Sequence, residues 1–493
     1  MTSASASSHR LEPHVARIAV VIVLGAIMSV LDTTIVNVAL RDLSLDLHVS
    51  LDEIQWVATG YLLALATMLP ITTWATRRIG AKRLYIAALV LFTAGSALCG
   101  LAWSSTSLIA FRVLQGLGGG IITPVGQTIL VRAAGPKNIA RVMSAIGVPI
   151  VLAPIFGPTL GGLLLEHAGW QWIFLVNVPI GVAAVAVATR LLPSGEREEA
   201  GPLDLAGLLL VGPGVALVTY GLAQTGSAGS LTAPGVVIPV LVGLALLLAF
   251  VARSLRVPAP LLDLRLFSDP GYRAASITTF ALGATLFGAM ILMPLYFQEA
   301  RGEGAVVTGL LLMPQGIGAA FAMHVSARLT ERFGAGATTV GGVVVTALST
   351  VPFAFVGSGT SYVLLGAAMV VRGIGIGTSM MPAMTAAFAG LRRDQVADAS
   401  PQLTVLQRVG GSMGVAVFTV ILQSHLSGAR TPAASASAFA TTYWWVVAIS
   451  VVALVPAWLL MRSERRALAR AQATAKPAAD PPTGELALAP EAA

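Results

Sequence analysis

The sequence predicts an all-α polytopic membrane protein with fourteen transmembrane helices, arranged as two six-helix bundles with two further helices inserted between them. Three observations lead to this prediction. The chain of 493 residues is 56% hydrophobic and only 11% charged, whereas charged residues make up roughly a quarter of an average soluble domain. Its apolar residues fall into long runs that match the thickness of a bilayer. Short motifs of the first half also recur in the second half.

The apolar runs define fourteen segments that are long enough to cross a bilayer at about 1.5 Å per residue. They cover residues 15–40, 54–75, 83–103, 106–134, 140–165, 170–192, 203–224, 232–256, 274–297, 304–326, 334–357, 361–390, 400–426 and 440–462. We therefore predict five regions. These are a tail at 1–13, a six-helix bundle at 14–193, a linker with two extra transmembrane helices at 194–273, a second six-helix bundle at 274–463 and a disordered tail at 464–493.

The distribution of lysine and arginine predicts the orientation in the membrane. With the N-terminus in the cytoplasm, most basic loops face the cytoplasm, and only Arg41, Arg301 and Arg430 lie outside, as the positive-inside rule requires. Fourteen crossings then place both termini in the cytoplasm, and we expect a multi-pass protein of the cytoplasmic membrane. The net charge of +8 is spread between apolar runs, so it indicates topology and not a nucleic-acid partner.

Two short motifs recur in the same order, at offsets close to 254 to 260 residues. Arg78-Ile79-Gly80 returns as Arg332-Phe333-Gly334, and the glycine-rich stretch 112–124 returns as 372–382. Single matches of this length arise easily by chance, but their common order favours a duplicated six-helix unit. Two such halves around a central site predict an alternating-access transporter.

The first segment contains a carboxylate, Asp32, in the stretch LDTTIVNVAL (31–40). A charged side chain at bilayer depth costs about 2.5 to 3.5 kcal/mol, so it usually has a partner or a function. In a low dielectric a carboxylate can exchange a proton near neutral pH. Asp32 is the only acid far from a predicted helix end. We expect it to couple transport to protons, and a structural ion pair is the alternative.

The fourth segment carries Arg112 in the stretch RVLQGLGGG (112–120). Arg112 lies about six residues from the outer end of its segment and Asp32 about eight, so the helical rise puts the two at similar depth. They could pair. A pair that opens and closes with conformation would switch the proton affinity of the carboxylate, whereas a static salt bridge would only hold two helices together.

The fifth segment is rich in glycine and proline. Small residues four apart permit close helix approach, and prolines bend a helix and free backbone carbonyls. Such a helix can act as a hinge and a seal between the two halves, although packing alone also uses these residues. The candidate hinge residues are Gly147, Pro149, Pro154, Gly157, Pro158, Gly161 and Gly162.

These stretches resemble signatures of the major facilitator superfamily. The resemblance covers LDTTIVNVAL, RVLQGLGGG and, most specifically, APIFGPTLGG (153–162) followed by WQWIFLVNVPIG (170–181). More narrowly, residues 15–463 resemble the fourteen-helix drug:proton antiporters of the QacA/EmrB type, although Arg41 stands where that family usually has proline. The resemblance implies the major facilitator fold and export of amphiphilic drugs or antibiotics by a monomer, with protons as the coupling ion and no cofactor.

The loop between the second and third segments departs from the superfamily pattern Gly-x-Leu-Ala-Asp-Arg-x-Gly-Arg-Lys. It reads TWATRRIGAKR, so Thr73 replaces the glycine and Arg77 stands at the acidic position. Arg78, Gly80 and Lys82 remain. They are compatible with a cytoplasmic gating loop, and equally with a basic loop that only sets topology.

Polar side chains on candidate cavity helices suit a roomy amphiphilic substrate pocket, although each one alone could serve as an interhelical hydrogen bond. They are Asn37, Gln55, Tyr61, Gln115, Gln127, Gln315, Gln407 and Arg408. Arg372 and Arg408 join Arg112 as intramembrane cations. They could tolerate an anionic or zwitterionic cargo, or be solvated by carbonyls freed near proline or glycine.

Other functions find less support in the sequence. A proton-coupled symporter or a lipid or metabolite exporter of the same fold is the alternative, disfavoured by the fifth-segment signature. An enzyme would need clustered acids, a metal constellation or a nucleophile with its base, and the sequence offers none of these; Cys99 is its only cysteine. It contains no P-loop pattern for an ATPase motor. A channel would need a selectivity ring and an open path, and the duplicated bundle argues against it.

Overall fold

The computed structural model describes residues 12–135, 138–193, 201–224, 232–258, 260–389, 391–392, 395–426 and 431–474. The helices of the first half are α1 Pro13–Asp46, α2 Leu51–Met68, α3 Ile71–Ile79, α4 Ala81–Gly100, α5 Ser105–Ala134, α6 Ile139–Ala168, α7 Gln171–Leu175 and α8 Asn177–Leu191. The inserted helices are α9 Leu205–Ala223 and α10 Pro234–Ser254. Those of the second half are α11 Pro270–Met290, α12 Leu292–Leu295, α13 Ala305–Phe333, α14 Ala335–Thr350, α15 Tyr362–Ala389, α16 Val396–Leu426, α17 Pro432–Val452 and α18 Leu454–Thr474.

All fourteen predicted segments fall on these helices. Among the described residues, 11 helices are long and apolar enough to cross a membrane, and two bent pairs raise the number to 13. The bent pairs are α2 with α3, at 58°, and the two parts of α13, at 44°. The remaining segment is α6, a helix of 30 residues in which many side chains lie outside the described part. The predicted all-α polytopic fold is confirmed.

A proline separates α2 from α3. Pro70 directly precedes α3, and because proline lacks a backbone N–H and its ring clashes with the preceding turn, a helix bends or stops there. The sequence predicted one segment, 54–75, at this place. The bend brings α3 to α16 of the second half, where the Thr73 hydroxyl donates to the carbonyl of Ala397 at 3.0 Å.

The internal repeat is visible in the backbone. Gly80 joins α3 to α4 with φ 91°, and Gly334 joins α13 to α14 with φ 89°. Side chains strongly disfavour such positive φ values, whereas glycine adopts them at no steric cost. The recurrence of Arg-x-Gly thus marks two equivalent turns between helices.

The loops lie at two ends of the bundle. We call the end with Gly80 and Gly334 the basic end, and the end with Trp103 and Trp170 the aromatic end. Near the aromatic end each half has its own apolar core, one including Trp170 and the other including Phe353. A larger apolar cluster contains residues of both halves. Near the basic end it includes residues of α6 and α13, and residues of α5 and α16. The described halves are therefore joined at the basic end.

The inserted helices pack against each other, and α9 also contacts α2 and α16. The end of the chain differs in detail from the predicted boundaries. The predicted last segment, 440–462, straddles the break between α17 and α18, and α18 continues to Thr474, within the predicted tail. The predicted tail at 1–13 is described only from residue 12, and both the linker residues 194–200 and the last residues, 475–493, lie outside the described part.

Candidate functional site

Asp32 of α1 and Arg112 of α5 form a buried ion pair. Arg112 Nη1 lies 2.6 Å from Asp32 Oδ2, and the two side chains are 1% and 0% exposed. Arg112 Nε also donates to the backbone carbonyl of Val57 in α2 at 3.1 Å. The pairing that their similar depth made possible is present, and together with the bond to Val57 it connects three helices of the first half.

Two amides complete the shell of Asp32. Gln115, one helical turn after Arg112, donates from Nε2 to Asp32 Oδ1 at 2.9 Å, and its Oε1 accepts from Arg112 Nη1 at 2.7 Å. Asn177 Nδ2 donates to the same Oδ1 at 3.3 Å. Both amides also donate to the hydroxyl of Ser96, at 3.0 and 3.2 Å. Each carboxylate oxygen of Asp32 therefore has a donor, as a buried charge requires.

Aromatic rings cover the guanidinium. The centroid of the Tyr61 ring lies 4.0 Å from Arg112 Cζ, and that of Phe174 lies 5.6 Å away, both within cation–π range. The Tyr61 hydroxyl donates to the carbonyl of Ser29 at 3.4 Å. Tyr61, predicted from sequence as a cavity residue, is fully buried here against the ion pair.

This network constrains how Asp32 can take up a proton. While Asp32 is ionised, its charge balances that of Arg112. A protonated Asp32 would leave Arg112 as an unbalanced cation in a low dielectric, which is costly.

The glycines of α6 bring that helix close to α1. A Cβ at Gly157 would overlap the hydroxyl oxygen of Thr34, two residues after Asp32, and one at Gly161 would lie 3.2 Å from Ile35 Cγ2. These positions allow the close approach that small residues provide in membranes. The predicted hinge helix thus packs directly against the helix of the proton-coupling candidate.

Near its other end, α6 contacts the second half. A Cβ at Gly147 would lie 2.6 Å from Met381 Cγ of α15. Gly162 is half-buried. The side chains of the remaining hinge residues lie outside the described part, and these are Pro149, Pro154 and Pro158. The helix itself continues from residue 139 to 168, so α6 links the Asp32 region to the interface between the halves.

The other predicted cavity residues lie apart from Asp32. Gln127 Oε1 accepts from the hydroxyl of Ser400 across the interface at 2.9 Å. In the second half, Gln315 Oε1 accepts from Arg372 Nη1 at 2.9 Å, and Gln407 Nε2 lies 3.6 Å from Met380 Sδ. Gln55 is exposed and Arg408 is half-buried. The side chain of Asn37 lies outside the described part.

Ion pairs join the two halves at the basic end. Arg77 Nη2 lies 2.5 Å from Asp398 Oδ2, and Arg141 Nε lies 2.8 Å from Glu331 Oε1. Of the predicted gating-loop residues, Gly80 makes the turn, Arg78 is exposed and Lys82 is half-buried. Arg77 and Thr73, which depart from the superfamily pattern, both contact α16 of the other half.

Sequence reasoning missed Ser96 and Asn177 at the Asp32 site and Asp398 at the basic end. Ser96 carries no signal, because serine is common in membrane helices. Asn177 could have been noticed as an amide within the apolar stretch WQWIFLVNVPIG. Asp398 was placed before the predicted segment 400–426, whereas α16 begins at Val396.

Two joined helical halves with a buried ion pair in one of them define a polytopic membrane transporter. The profile of the Major Facilitator Superfamily matches residues 22–415. The chain belongs to this superfamily.

Its relatives include bacterial proteins named for drug resistance. The chain is 39% identical over 416 residues to the "Multidrug resistance protein B homolog" of Mycobacterium tuberculosis (strain ATCC 25618 / H37Rv), covering 84% of this chain and 77% of that protein. It is 31% identical to the "Putative multidrug resistance protein MdtD" of Serratia proteamaculans (strain 568), covering 82% and 84%. It is 30% identical to the "Multidrug export protein EmrB" of Haemophilus influenzae (strain ATCC 51907 / DSM 11121 / KW20 / Rd), covering 80% and 78%.

Solved structures share the fold. The human organic anion transporter MFSD10 (TETRAN) superimposes with a TM-score of 0.64 at 16% identity, covering 91% of this chain and 100% of that one. A bacterial homologue of the human lysosomal transporter Spinster gives 0.55 at 15% identity, covering 92% and 98%. At these identities the similarity concerns the fold alone.

Proposed function

We propose that the protein is a proton-coupled antiporter that exports small amphiphilic drugs or antibiotics across the cytoplasmic membrane by alternating access. The observation that carries the proposal is the buried network around Asp32, in which one carboxylate is held between Arg112, Gln115 and Asn177. The names of the relatives support drug export. We propose no enzymatic activity, no cofactor besides the coupling proton and no nucleic-acid partner, and a monomer in the lipid bilayer as the working unit.

The proposed orientation puts the basic end and both ends of the chain in the cytoplasm, following the positive-inside rule. The described halves are joined at the basic end, so the proposed pathway in this state leads to the outside. A proton arriving from outside would neutralise Asp32, release Arg112 and favour the return of the site to the cytoplasmic side. Proton entry along the membrane potential supplies about 2.3 kcal/mol per 100 mV.

Coupling follows if cargo and proton favour opposite states, since a ligand shifts a conformational equilibrium only through its differential affinity for the two states. Gly157 and Gly161 link α6 to the Asp32 helix, and Gly147 links α6 to the second half. A displacement of α1 caused by protonation would thus be passed to the interface between the halves. The same contacts would let rocking of the halves change the environment of Asp32.

The test is proton-gradient-dependent uptake of a fluorescent cationic dye by everted membrane vesicles. The parent protein and Asp42→Asn should accumulate dye, because Asp42 is an exposed acid on the same helix. Asp32→Asn should accumulate none while still binding dye in tryptophan-quenching measurements. Uphill transport by Asp32→Asn at the parent's level would refute the coupling role.

A further inference from the structure

The second half buries an arginine, Arg372, that has no carboxylate partner among the described residues. Its side chain is 2% exposed. Nη1 donates to Gln315 Oε1 at 2.9 Å, whereas Nε and Nη2 have no hydrogen-bond partner in the described part of the chain. A buried cation without a counter-charge is strongly unfavourable, so this guanidinium requires a source of negative charge.

Close contacts of glycines with backbone carbonyls show which residue of the first half occupies the position equivalent to Arg372. Gly116 and Gly120 of α5 face backbone carbonyls of α2 in the way that Gly373 and Gly377 of α15 face carbonyls of α13. The facing carbonyls belong to Tyr61, Leu65, Gln315 and Ala319. This register places Arg372 at the position of Gln115 and not, as the sequence repeat suggested, at that of Arg112. In the first half, the side chain at that position, Gln115, is one of those that donate to the Asp32 carboxylate.

The helices around Arg372 supply no equivalent of Asp32. The sequences of α11, α14 and α15 contain neither aspartate nor glutamate. The only acids of α13 and α16 are Glu331 and Asp398, and these pair with Arg141 and Arg77 of the first half. A bound ligand can supply the counter-charge that the side chains of these helices do not.

A small cavity adjoins the arginine. Its volume is about 10 Å³, and Arg372, Thr285, Leu286 and Thr346 are among its lining residues. A cavity of roughly 10 to 15 Å³ holds about one water-sized particle. That space is too small for the body of an amphiphilic drug, so a ligand beside Arg372 in this cavity can be no larger than a single small ion, and a chloride would need the lining side chains to move slightly outward.

We propose that Arg372 binds one small monovalent inorganic anion, chloride in the cell, in this cavity. The anion balances the buried arginine of the second half as Asp32 balances that of the first half. The site depends on neither proton coupling nor the nature of the cargo, so it stands or falls independently of the proposed transport function.

The test is thermal unfolding of the purified full-length protein in detergent, with sodium chloride replacing sodium gluconate at constant ionic strength. A ligand that binds only the folded state raises the unfolding midpoint with its concentration, so the parent's midpoint should rise with chloride and then saturate. Arg372→Gln should abolish the rise. Arg301→Gln is the matched control and should keep it, because Arg301 already donates to the Thr360 carbonyl and the Tyr296 hydroxyl.

If Arg372→Gln fails to fold, a second variant, Leu286→Asp, tests whether chloride binds in the cavity. Leu286→Asp places a carboxylate in the cavity wall, so its midpoint in gluconate should exceed the parent's and should no longer respond to chloride. Equal midpoints of the parent in chloride and gluconate would overturn the proposal. So would a chloride response that persists in Leu286→Asp, or a response to benzoate without one to chloride, which would assign Arg372 to the carboxylate of a cargo.

Discussion

Arg77 of the first half and Asp398 of the second half form an ion pair, with Arg77 Nη2 2.5 Å from Asp398 Oδ2. Arg77 occupies the position at which the superfamily loop pattern has an acid. The acid is instead supplied by the first turn of α16 in the opposite half, where it is 7% exposed. We call this ion pair between the halves, with its base on the loop and its acid on α16, the latch. The hydrogen bond from Thr73 to the Ala397 carbonyl lies beside it.

Reversing either charge should open the basic end. We expect Arg77→Asp or Asp398→Arg to shift the equilibrium away from the closed state by about fivefold, since a partly exposed ion pair contributes about 1 kcal/mol. The double variant restores the pair and should return to the parent's behaviour. Maleimide labelling of Ala399→Cys reports opening, because Ala399 is fully buried on α16 and the native Cys99 is buried as well. Labelling rates that are equal in all four proteins would exclude a latch.

The buried ion pair of Asp32 and Arg112 gives a prediction about the stability of the folded protein. Asp32→Asn alone leaves Arg112 as a buried cation without a counter-charge, and breaking a buried pair in this way costs about 3 to 5 kcal/mol. Asp32→Asn combined with Arg112→Gln removes both charges and should be less destabilised than the single variant. Thermal unfolding in detergent measures this, with Asp42→Asn as the control. A double variant that unfolds at or below the midpoint of Asp32→Asn would contradict this account.

The sequence was sufficient to predict the helices and the depth of Asp32 and Arg112, because both follow from hydrophobic runs and the rise per residue. It was insufficient for Ser96 and Asn177. Contacts between helices depend on the rotation of each helix about its axis, and apolar residues surround a membrane helix on most sides, so the facing side cannot be read from hydrophobicity. Tyr61 and Gln115 were predicted as polar residues of a substrate cavity, and their contact with the ion pair appears only in three dimensions.

The register of the repeat shows a second limit of sequence reasoning. Arginine and glycine matched at offsets near 260 in the fourth helices, yet the glycine contacts align Arg372 with Gln115. Glycines facing backbone carbonyls fix a register to one residue, because a side chain there would overlap the neighbouring helix. A matching arginine has no such constraint, since its long side chain can reach the same place from several positions.

The packing of α6 on α1 predicts a steric test of the hinge helix. Gly157→Ala should force the two helices apart, because its Cβ would overlap the Thr34 hydroxyl, and we expect at least a tenfold loss of dye transport. Combining it with Thr34→Gly removes the overlapping side chain and should recover part of the activity. Gly341→Ala is the control, since a Cβ there has open space and alanine favours a helix. Full transport by Gly157→Ala would show that close packing at this site is dispensable.

The inserted helix pair gives a prediction about pH. Asp204 Oδ1 accepts hydrogen bonds from Gly207 N at 2.9 Å and from Arg253 Nη2 at 2.8 Å, which joins the start of α9 to the end of α10. Burial raises the pKa of the Asp204 carboxyl, but the hydrogen bonds from Arg253 and Gly207 outweigh it and hold that pKa below its ordinary value. A carboxyl of this kind stabilises the folded protein above its unfolded-state pKa, near 3.9, and the stabilisation is lost as the pH falls through the lower folded-state pKa.

Asp204→Asn should therefore destabilise the protein at pH 7 and have little effect at strongly acid pH. Asparagine can still cap α9, so the change removes the charged bond to Arg253, whose side chain is 39% exposed, and the expected cost at pH 7 is about 1 kcal/mol. Thermal unfolding of both proteins in detergent between pH 7 and pH 3 measures the difference. The gap between their midpoints should begin to narrow below about pH 4, where Asp204 of the unfolded parent takes up a proton, and should close as the pH falls through the lower folded-state pKa. A gap that stays constant over this range would mean that the charge of Asp204 does not hold α9 against α10.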